Sequence, residues 1–461
     1  MNIIIIGCGK VGAVLAMTLT KEEHDVSVVD TDMDALKYTA GRADVIGVEG
    51  NGASLAVQNE AGIDEADVMI ATTGSDEVNL LCCLIAKKSN RNVKTIARVR
   101  NPIYLDEISF FKEELGLTRV INPERAAARE IARTLRFRSA MKIDTLAGGM
   151  VELLKFKITA DSPIKDKRIM DLAQDIHTEV LICAIEREDD LIIPNGSTML
   201  LEDDRVSFIA SPKNAAAFFR AIKTDTHAVK DALIIGGGRI GFYLAQRLLS
   251  TGIEVKIIER DKKRCVELDS LLKDVTVING DGTEETVVME EGIETAEAVV
   301  ALTNIDEENI LLSLFAKKHN EKAKIVTKVN RMMFDSIVEE IELGTIIHTM
   351  SIVADNVAAT VRAIQNSVGR SRVESLVNIL DGKAEALEFI IREPSEATDR
   401  PLQQMKLKKN LLVACIMRKK DIIYPRGGDE IRVGDRVVIV TSHQGLDDIT
   451  DILSDGGGRE S

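Results

Sequence analysis

Tryptophan is absent from this 461-residue chain, and aromatic residues together make up only 3% of it. With 45% of residues apolar, the interior must be built from aliphatic side chains, which favours layered α/β packing. No stretch approaches the roughly eighteen uninterrupted apolar residues of a membrane helix, and "MNIIIIGCGK" turns polar too early for a secretory leader. A cytoplasmic location is the expectation. Basic residues are in deficit: the formal net charge is -15, divided as -6 over residues 1–230 and -9 over the rest. Neither part carries the positive excess that nucleic-acid binding requires. The six cysteines (Cys8, Cys82, Cys83, Cys183, Cys265, Cys415) form no C-x-x-C pair. They read as buried structural thiols, with a redox role for adjacent Cys82 and Cys83 as the alternative. The six histidines lack metal-ligand spacing, so no metal is expected.

What the chain does have is one glycine pattern twice. "IIIIGCGKVG" places Gly7, Gly9 and Gly12 after an apolar run, and "LIIGGGRIG" places Gly236, Gly238 and Gly241 likewise. A single G-x-G-x-x-G is a weak signal, but here the whole neighbourhood recurs. At an offset of about 230 residues, Asn51-Gly52 meets Asp281-Gly282, Gly62 meets Gly292 and Asn79 meets Asn309. Further on, Pro194 meets Pro425 and Arg205-Val206 meets Arg436-Val437, so each copy holds two segments duplicated together.

In the first segment, β-branched runs at 3–6, 26–29, 45–48, 68–71, 95–99 and 119–121 alternate with helical patterns. This βαβ order implies a parallel sheet covered on both faces. "NPERAAAREIARTLRF" then reads as a helix with Asn122 as N-cap and Pro123 at its first position. Its Ala127, Ile131 and Leu135 form a small-residue face; Arg125, Arg129, Arg133 and Arg136 line the other, as a solvated or ion-paired surface or as a subunit contact. The second segment of each copy has short strands punctuated by Pro-Gly turns and a "DDRV" or "GDRV" approach, a small α+β module. The fold class is therefore α/β: two tandem Rossmann-like parallel-sheet domains, each followed by a small α+β domain. The expected divisions are 1–138, 139–224, 231–366 and 367–454, with 223–230 as a polar joint and "SDGGGRES" as a frayed tail.

In such a loop the first glycine permits the tight turn. The second lets pyrophosphate approach bare backbone, and the third lets the helix pack on its strand. Phosphate then meets the unpaired N–H groups of the helix N-terminus. Asp30 and Glu259, each twenty-three residues past the first glycine of its loop, stand where a carboxylate accepts from ribose hydroxyls and repels a 2′-phosphate. The candidate binding residues of the first copy are Gly7, Cys8, Gly9, Lys10, Val11, Gly12 and Asp30, with Asn51 at the adenine edge and Thr72 and Thr73 after the fourth strand. Those of the second are Gly236, Gly238, Arg239, Ile240, Gly241 and Glu259, with Asp281 and Thr303 in the matching places. Turn formation explains Asn51-Gly52 equally well. Arg98 and Arg100 flank the fifth strand, where a cation reaches phosphates; Lys328 and Asn330 stand there in the second copy, a weaker grip. A solvated strand end is the plainer reading of Arg100. His177 and His348 are isolated and have no counterparts in the other copy, so no acid/base cluster for a dehydrogenase is evident. No catalytic residue is assigned.

"MNIIIIGCGKVG", "VSVVD", "ATTGSDEVNLL", "IARVRNPIY" and "INPERAAAREIA", followed by the Pro-Gly module and then by the same order again, resemble the TrkA family across nearly the whole chain. These are regulatory subunits of Trk potassium uptake systems, built from tandem RCK (regulator of potassium conductance) units. The resemblance implies a nucleotide sensor and not an enzyme. It implies NAD(H) as ligand, with ATP and ADP as further occupants of the same sites, and Gly7, Gly9, Gly12, Asp30 and Arg98, with Gly236, Gly238, Gly241 and Glu259, as contacts. It also implies a homo-oligomer, a tetramer supplying eight units to a gating ring, at the inner face of the membrane under a potassium-translocating subunit of the TrkH/TrkG type. Three departures stand out: Glu259 for Asp, Lys328 for Arg, and "TMSI" for "INPE". An NAD-dependent oxidoreductase and a freestanding redox-sensing or interaction protein are the rival readings.

Overall fold

The computed structural model describes residues 1–137, 139–176, 178–188, 190–223, 229–330, 341, 343–366, 373–379 and 383–454. His177, most of the polar joint and nearly all of the tail singled out above lie outside them.

The first segment runs β1 (Asn2–Ile6), α1 (Lys10–Lys21), β2 (Asp25–Asp30), α2 (Met33–Ala40), β3 (Val45–Glu49), α3 (Leu55–Glu60), β4 (Val68–Ala71), α4 (Asp76–Ser89), β5 (Lys94–Arg98), α5 (Pro102–Asp106), α6 (Ile108–Leu115), β6 (Arg119–Ile121) and α7 (Pro123–Thr134). Its sheet has the order β3-β2-β1-β4-β5-β6 with parallel pairing. Ile3 to Ile6 are at most 2% exposed because helices cover both faces, which is why β1 is a continuous apolar run and not an alternating one. Each such side chain contributes roughly 1.5–3 kcal/mol of burial. Helix starts follow from capping: Asp32 accepts from Asp34 and Ala35 N–H, and Ser75 from Val78 N–H. Asn122 accepts from Arg125 N–H at 2.7 Å at the head of α7, as its sequence predicts.

The small module comprises β7 (Ala140–Leu146), β8 (Val151–Lys157), α8 (Ile169–Asp175), β9 (Leu181–Arg187), β10 (Asp190–Ile192), β11 (Arg205–Ala210) and α9 (Pro212–Ala221). The second copy repeats the plan with β12 (Asp231–Ile235), α10 (Arg239–Leu249), β13 (Glu254–Glu259), α11 (Lys262–Leu271), β14 (Val275–Asn279), α12 (Glu285–Glu290), β15 (Ala298–Ala301), α13 (Asp306–His319), β16 (Lys324–Lys328), β17 (Thr345–Ile347) and α14 (Thr349–Asn366). Then come β18 (Val373–Ile379), β19 (Ala384–Ile390), β20 (Leu411–Arg418), β21 (Asp421–Ile423) and β22 (Arg436–Thr441). The sheet orders β14-β13-β12-β15-β16-β17 and β18-β19-β22-β20-β21 match those of the first copy strand for strand.

By contact, the chain groups into two compact units, each drawing on both copies. The first unites the two parallel-sheet lobes. Within it, Val353, Val357 and Val361 of α14 pack into the core of the first lobe, against Ile3, Leu15 and Val28. The helix after the second lobe's last strand thus completes the first lobe. The second unit unites the small modules, whose sheets face one another through Leu153, Cys183 and Ile209 on one side and Ala386, Cys415 and Val438 on the other. The "DDRV" and "GDRV" motifs are staples here. Asp204, 1% exposed, takes Arg187 with both oxygens at 2.8 Å, and Asp435 takes Arg418 at 2.9 and 2.8 Å. All six cysteines are buried and none is in a disulfide.

Candidate nucleotide sites of the two lobes

Both glycine loops leave the carboxyl end of the first strand of their lobe, β1 or β12, next to the strand where the sheet order reverses, the place where open α/β sheets bind ligands. Gly7 has φ +98° and Gly236 φ +111°, a region closed to most side chains, and a Cβ on Gly7 would lie 2.8 Å from the Thr73 amide nitrogen. At Gly9 and Gly238 a Cβ would meet no heavy atom within 4 Å. These residues are the N-caps of α1 and α10, and among the described residues no side chain caps either helix. Neither first turn holds an acidic residue. Unpaired N–H groups and a positive helix end therefore face open space, which suits an anion. Lys10 and Arg239 are the first residues of the two helices.

The carboxylates lie as their spacing predicts. Asp30 accepts from Cys8 N–H at 2.5 Å and Asp32 N–H at 2.9 Å; Glu259 accepts from Gly237 N–H and Asp261 N–H, both at 2.8 Å. Each fastens its glycine loop to the following turn. The longer Glu side chain is matched by a loop residue without one, since a Cβ on Gly237 would lie 3.1 Å from the Glu259 Cβ. Cys8 fills that place in the first lobe, and burial with the nearby Asp30 charge pushes its thiol up to about 12, which leaves it unreactive.

A cleft in the second lobe is lined by Gly236, Gly238, Glu259, Asp281 and Thr303, and also by Arg260. Sequence reasoning passed over Arg260; its signal was its position directly after Glu259, where the first lobe has Thr31. Other candidates are held by structural bonds. Asn51 Oδ1 accepts from Ala53 N–H, and Asp281 Oδ1 from the N–H and hydroxyl of Thr283. The Thr72 hydroxyl donates to the Gly7 carbonyl at 3.0 Å, that of Thr73 to Asn79, and that of Thr303 to the Ile305 carbonyl. These threonines shape the floor beneath the loops. Val11 and Gly12, and Ile240 and Gly241, are buried in the helix starts and support the loop from below.

The strand-end cations differ from one another. Arg98 reaches toward the Thr72 carbonyl at 3.5 Å, while its Nε is buried with no hydrogen-bond partner among the described residues. Burial depresses its guanidinium, and Arg100 and Arg239 nearby act in the same sense. Lys328 is 6% exposed and is likewise depressed by burial, with Lys10 adding to the effect. An anion would relieve both. Arg100 is tied to its own lobe and only partly exposed: its Nε pairs with Asp76 at 3.3 Å, and a guanidinium nitrogen also bonds the Gly74 carbonyl.

Asn79 and Asn309 were matched in the repeat without a role. Asn79 Oδ1 accepts from Thr73 N–H and its amide donates to the Arg98 carbonyl at 2.9 Å; Asn309 does the same for Thr303 and Lys328. They hold the cation-bearing strand ends. Strand register also realigns "INPE": Ile121 pairs with Arg98 and Ile347 with Lys328, so His348, Thr349 and Met350 occupy the places of Asn122, Pro123 and Glu124. Among the described residues Glu124 keeps one buried oxygen without a partner, and it lies within electrostatic range of both Arg98 and Lys328.

Among the described residues, no helix is long and apolar enough to cross a membrane. A family model described as TrkA-N domain matches residues 3–123 and 232–349, and one described as TrkA-C domain matches 153–223 and 386–454. The chain is 33% identical to "Trk system potassium uptake protein TrkA homolog 2" of Methanosarcina mazei, over 95% of this chain and 97% of that one. It is 31% identical to "Trk system potassium uptake protein TrkA" of Halomonas elongata, over 95% of each. Among solved structures, "GsuK channel bound to NAD" superposes with a TM-score of 0.63 at 18% identity, over 95% of this chain and 76% of that one. "Crystal Structure of the GsuK RCK domain" gives 0.62 at 19% identity, over 95% and 92%. At those identities the likeness to solved structures is one of fold.

Proposed function

From a chain that belongs to the TrkA family, we infer a peripheral regulatory subunit of a Trk-type potassium uptake system that senses nucleotides through both of its glycine loops. The observation that carries the reading is the repeated arrangement of an uncapped helix N-terminus, an open second glycine and a fixed ribose carboxylate. NAD(H) and the adenine nucleotides ATP and ADP fit this chemistry. Gly9 and Gly238 leave the backbone bare for phosphates, Asp30 and Glu259 face ribose hydroxyls, and Arg98 and Lys328 supply charge at the phosphate end. Lys10, Arg239, Asn51, Asp281, Thr72, Thr73 and Thr303 complete the two sites. The solved relative in fold whose title names NAD, and another titled "Crystal structure of the GsuK bound to ADP", support these ligand classes.

The division into four parts, 1–138, 139–224, 231–366 and 367–454, belongs to the same reading, as does a tetramer whose eight units form a ring at the cytoplasmic face of a TrkH/TrkG-type pore. The role is regulatory and not enzymatic, as the names of the relatives suggest. A ligand that prefers one ring shape shifts the equilibrium between shapes by its difference in affinity. About 1–3 kcal/mol of such coupling alters flux several-fold to a hundredfold. The test is potassium flux into vesicles holding the membrane subunit and this chain, with NADH, NAD, ATP and ADP supplied in turn. Flux that depends on the nucleotide, and that needs more nucleotide with Asp30→Ala or Glu259→Ala and most with both, is expected. Flux indifferent to all four would overturn the reading.

A further inference from the structure

The two lobes of the first unit are not chemically symmetric where they meet. Helix α10 starts at the second glycine loop and presents Tyr243 four residues after Arg239. Tyr243 is 8% exposed, and its hydroxyl donates to the Arg100 carbonyl of the first lobe at 3.2 Å. The Asn122 amide approaches the same carbonyl at 3.5 Å while its Oδ1 caps α7. From the other side, Asp76 holds the Arg100 N–H at 2.8 Å, and Asn79 holds the Arg98 carbonyl at 2.9 Å. The segment that aims Arg98 at the first loop is thus clamped between its own helix α4 and a hydroxyl carried by the second lobe's nucleotide helix.

Among the described residues the pseudo-symmetric contact is absent. Val14 takes the place of Tyr243 on α1 and has no polar atom to offer, and Asn330, in the place of Arg100, bonds Asp306. Whatever moves the N-terminus of α10 is therefore felt at Arg98 through a hydrogen bond, whereas Val14, at the matching place on α1, has no such bond to offer and Lys10 acts on Lys328 through its charge.

We propose that Tyr243 is a positioning residue of the first nucleotide site, supplied by the second lobe, through which a nucleotide on the second loop changes the affinity of the first. This rests on the nucleotide reading above. Equilibrium coupling is reciprocal, so each site changes the other by one and the same factor. The asymmetry lies in which residue carries it.

The experiment is a mutant cycle read by ATP calorimetry on the full chain, with Tyr243→Phe and Glu259→Ala, singly and together, and a thermal melt of each. Emptying the second site with Glu259→Ala shifts the first-site dissociation constant, by roughly three- to tenfold for one hydrogen bond. In the Tyr243→Phe background that shift disappears while the melting temperature holds, a result that a merely structural tyrosine would not give. Val14→Ala leaves the coupling factor as it is. Two ATP bound per chain with no coupling in the wild type, or coupling that survives Tyr243→Phe, overturns the proposal and leaves the nucleotide reading intact. ATP, NADH, NAD and ADP all failing to bind overturns both, and a single site per chain overturns the coupling alone.

Discussion

Replacing Gly9 by alanine separates binding from folding. Gly9 has φ -62° and ψ -174°, which any residue adopts, and its added Cβ meets no heavy atom within 4 Å. The folded chain accommodates the methyl without strain, and the unfolded chain loses freedom, so stability is unchanged or rises by about 0.4–1 kcal/mol. Gly7→Ala is the contrast: at φ +98°, with Thr73 backbone 2.8 Å from the new Cβ, it lowers the melting temperature. For a phosphate the order reverses. The Gly9 methyl stands between the anion and the uncapped N–H groups of α1 and pushes at least one charge-assisted hydrogen bond out of range. Such a bond is worth about 1.5–3 kcal/mol, so the first loop binds roughly ten- to 150-fold more weakly. Calorimetry with ATP, beside a thermal melt, reads both quantities, and the second loop, which shifts by no more than the coupling factor between the sites, is the internal control. A Gly9→Ala chain that melts normally and binds at both loops with wild-type affinity would show that no phosphate rests on the first loop.

Three further outcomes are expected. Asp30→Ala weakens NADH at the first loop by about tenfold or more and narrows the preference for NADH over NADPH, because the carboxylate that repels a 2′-phosphate is gone; competition titrations measure both. His24 is 7% exposed, its Nε2 lacks a partner among the described residues, and burial lowers its imidazole to about 4 from 6.5. Between pH 6.5 and 4 the unfolded chain binds a proton that the folded chain refuses, so stability falls as pH drops through that window, by at most about 3 kcal/mol. Denaturation at pH 7 and pH 4.5 should show a smaller loss in His24→Gln. Asp435→Ala removes a carboxylate, 1% exposed, that takes Arg418 with two bonds and Arg432 N–H at 2.8 Å; a loss of about 2–4 kcal/mol is expected in thermal unfolding, with nucleotide binding unchanged.

Much of this was legible because the signals are local. The buried parallel strands announce themselves as runs such as Ile3 to Ile6, with boundaries off by a residue or so: the fifth strand reads as 95–99 and forms as Lys94–Arg98. The glycine loops and their carboxylates are written at fixed spacing, and the structure brings Gly7, Gly9, Gly12 and Asp30 together, as it does Gly236, Gly238, Gly241 and Glu259. What the sequence hid depends on partners distant in the chain. Nothing in α14 says that its valines pack into the first lobe, since amphipathicity names a face and not its partner. Arg100 looked like a phosphate ligand or a solvated terminus until Asp76, 24 positions away, was seen to hold it. Tyr243 reads as an ordinary helix residue; only tertiary structure shows its hydroxyl on Arg100, 143 positions away. The match of "INPE" with "TMSI" slipped because sequence similarity is low there, and β6 and β17 pairing sets the register.

The most direct measurement is the number of nucleotides bound per chain, titrated calorimetrically with NADH, NAD, ATP and ADP and repeated on Asp30→Ala and Glu259→Ala. The account predicts two sites per chain, one weakened by each substitution and neither by the other site's substitution beyond the coupling factor carried by Tyr243. Absence of binding by all four nucleotides in the folded wild-type chain would contradict it.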